Sequence, residues 1–444
     1  CTALDRTKDQ TDPLIVGLFA LFCSFLVGHL PTIRRYNRNG QPASQALTDL
    51  MYEYGPVLHT FMYHTPVVSV CDPVAVKKIL MSGNDNPKPA MTNRLFRRVY
   101  GARFLGSGLV SQTDPAKHGK VRALLNPMFT RKHLVTFIDQ FNARADVLIE
   151  KLSRKADGKT EVAMLDEFNS TTLDVIAKLN PLPAARKFRR EVRDSIKLLR
   201  ETGRQCIEKK LRAIERQEQM SDDILTLFLK ESMQLAGKDQ MQMEELIDEF
   251  ATLFFAGQET TANLLSFCLV ELGNHPEIMH RLRTEVESVV GDKDHLERSD
   301  IAKLDYMMQV LKETLRLWPP VAGVVRELTH SMTVKGYNIP SGSFVWLNSF
   351  AMSRMEEYFH DPLQFDPDRF KASDDKPQYA YFPFSLGTRS CIGQQFALIE
   401  ARVLLARLLR KFHFELVPGQ GYGITDEITL KPLERCRNYL RLVD

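Results

Sequence analysis

The chain has 444 residues, 44% of them hydrophobic, with 59 basic and 55 acidic side chains and a net charge of +4. That length and apolar content suffice for a large buried core, while the near balance of charge excludes the strong basic field of a nucleic-acid binder. Seven scattered cysteines (Cys1, Cys23, Cys71, Cys206, Cys268, Cys391, Cys436), with no CxxC pair, read as reduced thiols rather than a disulfide framework. No linker, repeat or low-complexity run divides the chain, so one large domain is expected.

Leu14 to Leu30 is mostly apolar and lies at the short limit for a membrane span. Arg34, Arg35 and Arg38 follow it, which would leave the rest of the chain on the cytosolic side. The expected division is therefore an N-terminal apolar segment, a candidate anchor, over 1–30 and a catalytic domain over 31–444. Val57 to Tyr63 and Val67 to Val70 are rich in β-formers around His64-Thr65-Pro66 and predict a strand pair. Asp72-Pro73 then starts a helix, with proline at its first position. Phe104 to Val110 is a glycine-rich apolar loop. His118 and Arg122 are four apart and share a helix face.

Lys132 to Leu152 and Ser170 to Leu179 read as helices. Asn180-Pro181-Leu182-Pro183 breaks the pattern, and a basic amphipathic run from Arg186 to Gln219 follows, read as a solvated helix face. Glu244 to Gly273 has the longest helical periodicity, with Leu246, Phe250, Leu253, Phe254, Leu264 and Phe267 recurring. At its middle sits Ala256-Gly257-Gln258-Glu259-Thr260-Thr261. Glycine inside a helix costs about 1 kcal/mol against alanine, which makes sense where something approaches the backbone closely. A bland alternative is a polar kink in which Thr260 bonds back to a helix carbonyl.

Leu304 to Leu317 is a helix stopped by Trp318-Pro319-Pro320, with Glu313 and Arg316 three apart on one face. Such pairs are common on surfaces and contribute little there. A hairpin is expected around Gly336-Tyr337-Asn338-Ile339-Pro340. Finally, Phe384-Ser385-Leu386-Gly387-Thr388-Arg389-Ser390-Cys391-Ile392-Gly393 leads into a helix from Gln394 to Lys411. A cysteine at a helix start gains from free backbone N–H groups and the positive end of the dipole. Those are the requirements of a thiolate that ligates a metal from one side. Arg389, two residues away, is a cation suited to a carboxylate.

This last stretch, F-x-x-G-x-R-x-C-x-G, resembles the haem-binding loop of the cytochrome P-450 superfamily at every position. The resemblance implies the mainly α fold of that family, a large helical lobe with a long central helix plus a small β-rich lobe. It implies haem b held by Cys391 as axial thiolate, with Phe384 and Gly393 beside the thiolate and Arg389 on a propionate. By family position Arg122 and Arg326 are further propionate partners. His118 stands where the family pattern has Trp, and it keeps a ring N–H donor; an exposed histidine is the alternative. The segment Ala256 to Thr261 resembles the family's acid–alcohol element, which makes Glu259 and Thr260 the proton-delivering pair. Phe365-Asp366-Pro367-Asp368-Arg369-Phe370 resembles the P-E-R-F motif and would add Arg369 to a Glu313–Arg316 network behind the haem.

The resemblance also implies monooxygenation: one atom of O2 enters an unactivated C–H bond, with electrons from NADPH through a cytochrome P-450 reductase. The tail, from Cys391-Ile392-Gly393-Gln394-Gln395-Phe396-Ala397 to Thr429-Leu430-Lys431-Pro432-Leu433, and Glu191 to Ile196 resemble the cholesterol 24-hydroxylase subfamily, which implies a sterol such as cholesterol. It further implies a membrane-surface enzyme of the endoplasmic reticulum facing the cytosol, with no nucleic-acid partner. Arg402, Arg407, Arg410 and Lys411, with basic residues of the Arg122 helix, are expected to form a docking patch for the acidic electron donor. The family places further elements near 179–186, so the chain is either a shortened form or lacks residues there, and Ser24 to Pro31 looks like family sequence beyond the anchor, which would leave an anchor remnant too short to span. Two other readings stand beside this one. One is a haem-thiolate isomerase or dehydratase of lipid peroxides, which needs no external electrons. The other is a non-catalytic sterol- or haem-binding relative.

Overall fold

A computed structural model describes residues 30–443 apart from 40, 63–64, 84, 91–102, 173–184, 221–222, 236, 238–239, 372–378, 422 and 427. The apolar segment before Leu30, the break at Asn180 to Pro183 and most of the stretch Ser170 to Leu179 lie outside these residues. No helix of the described residues is long and apolar enough to cross a membrane.

Helices dominate. The central one runs Met243–Asn274, 32 residues, or about 48 Å at 1.5 Å per residue. A capping box starts it: the Gln242 backbone N–H donates to Glu245 at 2.9 Å, which satisfies an N-terminal donor the helix cannot. Around it pack the helices Ile138–Ser153, Met164–Thr172, Pro276–Val290, Asp305–Leu317 and Gln394–Lys411. Their apolar faces meet in one core that includes Phe141, Phe168, Leu265, Leu311 and Leu405. The expected helix Lys132 to Leu152 is not continuous. A short helix Arg131–Leu134 passes through a 3-10 turn, Val135–Phe137, before Ile138–Ser153. The turn brings Phe137 and Phe141 edge-on to Phe396 of the thiolate helix.

The β-rich lobe holds a four-stranded sheet in the order β1 (Val57–Met62), β2 (Thr65–Val70), β7 (Phe344–Asn348), β4 (Gly323–Glu327). β2 pairs in parallel with β7 and the other pairs are antiparallel. β5 (Met332–Val334) and β6 (Tyr337–Ile339) form the expected hairpin. β3 (Val162–Ala163), β11 (Arg437–Leu442) and β8 (Phe412–Leu416) make a third sheet, and β9 (Ile424–Asp426) pairs with β10 (Leu430–Pro432). The lobe has its own core of Val70, Val76, Ile79, Leu347 and Phe382. Asp72 caps the helix Pro73–Leu80, accepting from the Ala75 N–H at 2.7 Å.

The basic run forms the helix Ala185–Glu215, and it is not purely a solvated face. Arg200 reaches Glu244 at 2.5 Å and Asp248 at 2.8 Å on the central helix, and Lys210 reaches Asp223 at 2.7 Å. Asp248 is fully buried and also receives Arg103 and the Ser107 N–H. A Cβ on Gly106, whose φ is +53°, would lie 2.1 Å from an Asp248 oxygen, so only glycine fits this crossing. Loop 104–112 is thereby pinned to the central helix.

Beside it, Glu249 is buried and accepts the Leu109 N–H at 3.0 Å. Burial pushes its carboxyl up from 4.5 to about 8. The folded protein therefore holds a proton there that the unfolded chain releases above its lower, ordinary value. Stability from this group is full below pH 4.5 and is lost as pH rises through about 8. Glu249→Gln should remove that slope. Its advantage over the parent should grow by up to roughly 4 kcal/mol between pH 5 and 9. Denaturant unfolding at the two pH values measures the difference, and an unchanged difference would reject the assignment.

Candidate active site

Residues Phe384 to Gly393 form a tight loop under the helix Gln394–Lys411. The Cys391 N–H donates to the Phe384 carbonyl at 2.8 Å and the Ser390 N–H to Gly387 at 3.0 Å. Gly387 has φ +70°, and a Cβ there would lie 2.0 Å from the Leu80 carbonyl oxygen. This is the motif glycine that the backbone demands. Gly393 has φ −84° and caps the helix; a Cβ there would make only an ordinary contact with the Cys391 sulfur at 3.9 Å. Phe384 packs against the main core. The Cys391 side chain is accessible, yet protein surrounds it closely enough that desolvation pushes its thiol up. Both hold if the sulfur opens onto an internal cleft rather than bulk water. Against that push act the N–H groups of Gly393 and Gln394 and the charges of Arg122 and Lys88, the helix-start effect expected from the sequence.

Five nitrogenous side chains converge near the sulfur. Arg122 donates to the Ser390 carbonyl at 2.6 Å, Arg389 to the Gln112 carbonyl at 2.6 Å, Arg326 to the Val325 carbonyl at 2.9 Å and Lys88 to the Val110 carbonyl at 2.7 Å. His118 completes the group and is buried, 4% exposed, so it is not the exposed histidine of the alternative reading. Their charges oppose one another. Burial, then Arg326 and Arg389, lowers Lys88 to about 7. Burial, then Arg389, lowers Arg326 to about 10. His118 falls to about 3 through burial and the cations around it, so it is neutral and a donor at physiological pH.

Among the described residues none of the four cations pairs with a carboxylate, and the buried Nη2 of Arg389 has no hydrogen-bond partner. Buried charges are normally paired. A cluster of this kind fits a ligand that carries its own anionic groups, and the two carboxylates of haem beside a thiolate meet that need. Lys88 is the member that sequence reading missed. The signal is Pro87-Lys88-Pro89, where flanking prolines hold the backbone extended.

On the central helix, Gly257 is exposed, and a Cβ there would meet nothing within 4 Å, so an open space lies against the helix at the expected position. The Thr260 hydroxyl donates to the Ala256 carbonyl at 2.8 Å, the back-bonded arrangement of the bland alternative. Glu259 lies 3.8 Å from Lys431 on β10.

Behind the site, Glu313 and Arg316 are fully buried and bonded at 2.7 Å. They are no surface pair. Arg369 joins at 3.3 Å, while Asp368 turns outward to Arg281 at 2.9 Å. Of the expected docking patch, Arg407 is withdrawn into the protein and bonded to Asp146 at 2.6 Å. Arg402 donates to the Leu398 and Ile301 carbonyls, and Arg410 to the Lys293 carbonyl. Only Arg407 is withdrawn from the surface; Arg402 and Arg410 bond carbonyls while staying partly exposed, and Lys411 is exposed.

A family model described as Cytochrome P450 matches residues 23–180 and 178–434. The chain is 31% identical over 422 residues to "Cytochrome P450 4d2" of Drosophila melanogaster, which covers 82% of each chain. It is 30% identical to "Cytochrome P450 72A13" of Arabidopsis thaliana, over 86% of this chain and 81% of the relative. It is 29% identical to "11-oxo-beta-amyrin 30-oxidase" of Glycyrrhiza uralensis, over 86% and 80%. These relatives lend the narrower likeness to cholesterol 24-hydroxylases no support.

Proposed function

The chain belongs to the cytochrome P450 family, and from that premise we propose that this haem monooxygenase hydroxylates a sterol-like lipophilic substrate at the surface of the endoplasmic reticulum. The balanced reaction is RH + O2 + NADPH + H⁺ → ROH + H2O + NADP⁺, with the electrons passed on by a reductase. When bound, haem supplies the oxygen chemistry, tuned by the electron-rich thiolate. The chain's own residues do the rest. Cys391 would hold the group through its sulfur, and the Gly393 and Gln394 N–H groups would steady the thiolate charge. Lys88, His118, Arg122, Arg326 and Arg389 bind and orient its carboxylates. Glu259 and Thr260 would carry protons to the bound group, Thr260 by turning its hydroxyl from the Ala256 carbonyl. Glu313, Arg316 and Arg369 keep the loop beneath in register. Residues 1–30 act as the membrane-proximal segment and 31–444 as the catalytic domain.

The observation that carries this reading is the cation cluster without carboxylate partners around Cys391. The sterol rests on the likeness of the tail segments alone. The test is turnover of cholesterol under ¹⁸O2 with NADPH and reductase. One labelled oxygen per product, dependent on NADPH, is expected. Conversion of a lipid peroxide without NADPH would favour the isomerase reading instead. Other labelled lipids accepted in place of cholesterol would keep the reaction and replace the substrate.

A further inference from the structure

Strand β10 and the residue before it meet the central helix. Asn263 donates to the Thr429 hydroxyl at 3.0 Å, and both residues are buried. Two residues further along the strand, the Lys431 ammonium stands 3.8 Å from a Glu259 oxygen. Thr429 immediately precedes β10, and Glu259 and Asn263, four apart, share a helix face. The residue between Thr429 and Lys431, Leu430, points into a cluster with Phe267 and Phe350, and its N–H donates to the Pro320 carbonyl at 2.8 Å. The chain is therefore held on both sides of Lys431's backbone, which stands opposite Glu259.

The contact is a loose one. At 3.8 Å it is a charge contact beyond hydrogen-bond reach, and both side chains keep some solvent, 27% for Lys431 and 23% for Glu259. It is also on the wrong side of the helix for chemistry at the open space. At about 100° per residue, Thr260 lies about 60° around the helix from Gly257, whereas Glu259 lies about 160° from it. The carboxylate of the acid–alcohol pair thus faces β10 while the alcohol flanks the opening.

We propose that Lys431 is a positioning residue for Glu259: it holds the carboxylate on the β10 side of the central helix, and Glu259 carries a proton towards Thr260 only after leaving the ammonium. Each excursion takes one proton from solvent at the β10 side and releases it at the Thr260 side, and Lys431 keeps its own proton throughout. The proposal rests on the reading of Glu259 as the proton-delivering acid.

The experiment uses the haem-loaded full chain with reductase and NADPH and no added substrate. NADPH oxidation is followed in H2O and D2O for the parent, Lys431→Met, Lys431→Arg, Glu259→Gln and the Lys431→Met/Glu259→Gln double variant. Infrared difference spectra of the same proteins locate the Glu259 carboxylate band by its loss in Glu259→Gln. Lys431→Met should shift that band and change the oxidation rate and its solvent isotope effect by about two- to five-fold, the range an exposed ion pair can supply. Lys431→Arg should restore both, and Lys431→Met should add nothing in the Glu259→Gln background. An equal effect in both backgrounds, or no effect on band and rate, would overturn the proposal through Lys431. If Glu259→Gln oxidises NADPH as the parent does while Lys431→Met still moves the band, the acid reading fails, and the proposal falls with it through Glu259.

Discussion

Cys391→Ala should abolish the strongly red-shifted Soret band of the reduced, carbon monoxide-bound protein and, with it, all NADPH-supported hydroxylation. The band reports a thiolate on iron, and no other described cysteine can take its place. Cys71, Cys268 and Cys436 are buried in cores, where desolvation pushes their thiols far up. Cys206 sits on the helix Ala185–Glu215, away from the loop. Removing the sulfur deletes one small side chain at an accessible position, so the fold should survive, and far-ultraviolet circular dichroism should match the parent. Haem should still bind, because Lys88, Arg122, Arg326 and Arg389 remain to pair with its carboxylates. A variant that retains the red-shifted band would remove Cys391 as the ligand. A parent that is folded, supplied with haem and lacks the band would remove the monooxygenase reading and leave the binding-protein alternative.

Arg316→Met should prevent accumulation of folded, haem-containing protein. A guanidinium has five N–H donors, and Arg316 places every one. Nε and Nη2 fork onto Glu313 at 2.7 Å each. Nη1 donates to the Ser353 and Pro362 carbonyls at 2.6 Å, and Nη2 also reaches the Gln364 carbonyl at 3.0 Å. Both side chains are 0% exposed. Methionine would strand three carbonyls and leave the buried Glu313 charge with only the longer contact to Arg369 and the Asp366 N–H. Breaking a buried pair in this way costs about 3–5 kcal/mol, a large part of the 5–15 kcal/mol that holds a typical domain together. Arg316→Lys keeps the charge but lacks the planar fork, and it should fall between parent and methionine. Arg281→Ala is the control, since its pair with Asp368 is 47% and 40% exposed and exposed pairs contribute about 0–1 kcal/mol. Soluble yield, haem absorbance per protein and denaturant midpoints measure the series. Equal behaviour of the Arg316 and Arg281 variants would show that burial at Arg316 does not carry the load assigned to it.

Much of the candidate site was legible before any fold was known, and the legible part is local. The cysteine loop declares itself because Gly387, Arg389, Cys391 and the following helix lie within a few residues, where backbone geometry and spacing are written directly. The central helix is legible for the same reason. Its apolar period runs unbroken from Leu246, and the observed helix exceeds the expected one by a single residue at each end. The helix carrying Arg122 also follows from neighbours in sequence, while the acid–alcohol reading of Glu259 and Thr260 came from resemblance. Resemblance, rather than periodicity, supplied the roles of Arg326 and Arg369, which lie far from the loop in the chain.

Tertiary structure decided which charges are buried together. Lys88 and Arg389 lie about 300 residues apart in the chain, and Pro87-Lys88-Pro89 marks an extended backbone but not a cation cluster; only packing of loop 104–112 onto the central helix brings their carbonyl partners, Val110 and Gln112, beside them. The same packing turned His118 inward and made it neutral. An acid and a base three residues apart look alike on a surface and in a core, and burial alone distinguishes Glu313–Arg316 from Arg281–Asp368 in energy. The basic helix that ends in Lys411 shows the converse: its charges suggested an outer face, but side-chain reach let Arg402, Arg407 and Arg410 find carbonyls and a carboxylate from other elements. Sequence by itself determined most of the elements and the spacing of the cysteine loop and the central-helix segment Ala256 to Thr261, since these depend on neighbours along the chain. The electrostatics of the site, including the contact of Lys431 with Glu259, was left to the fold, because a charge takes its energy from whatever surrounds it in space.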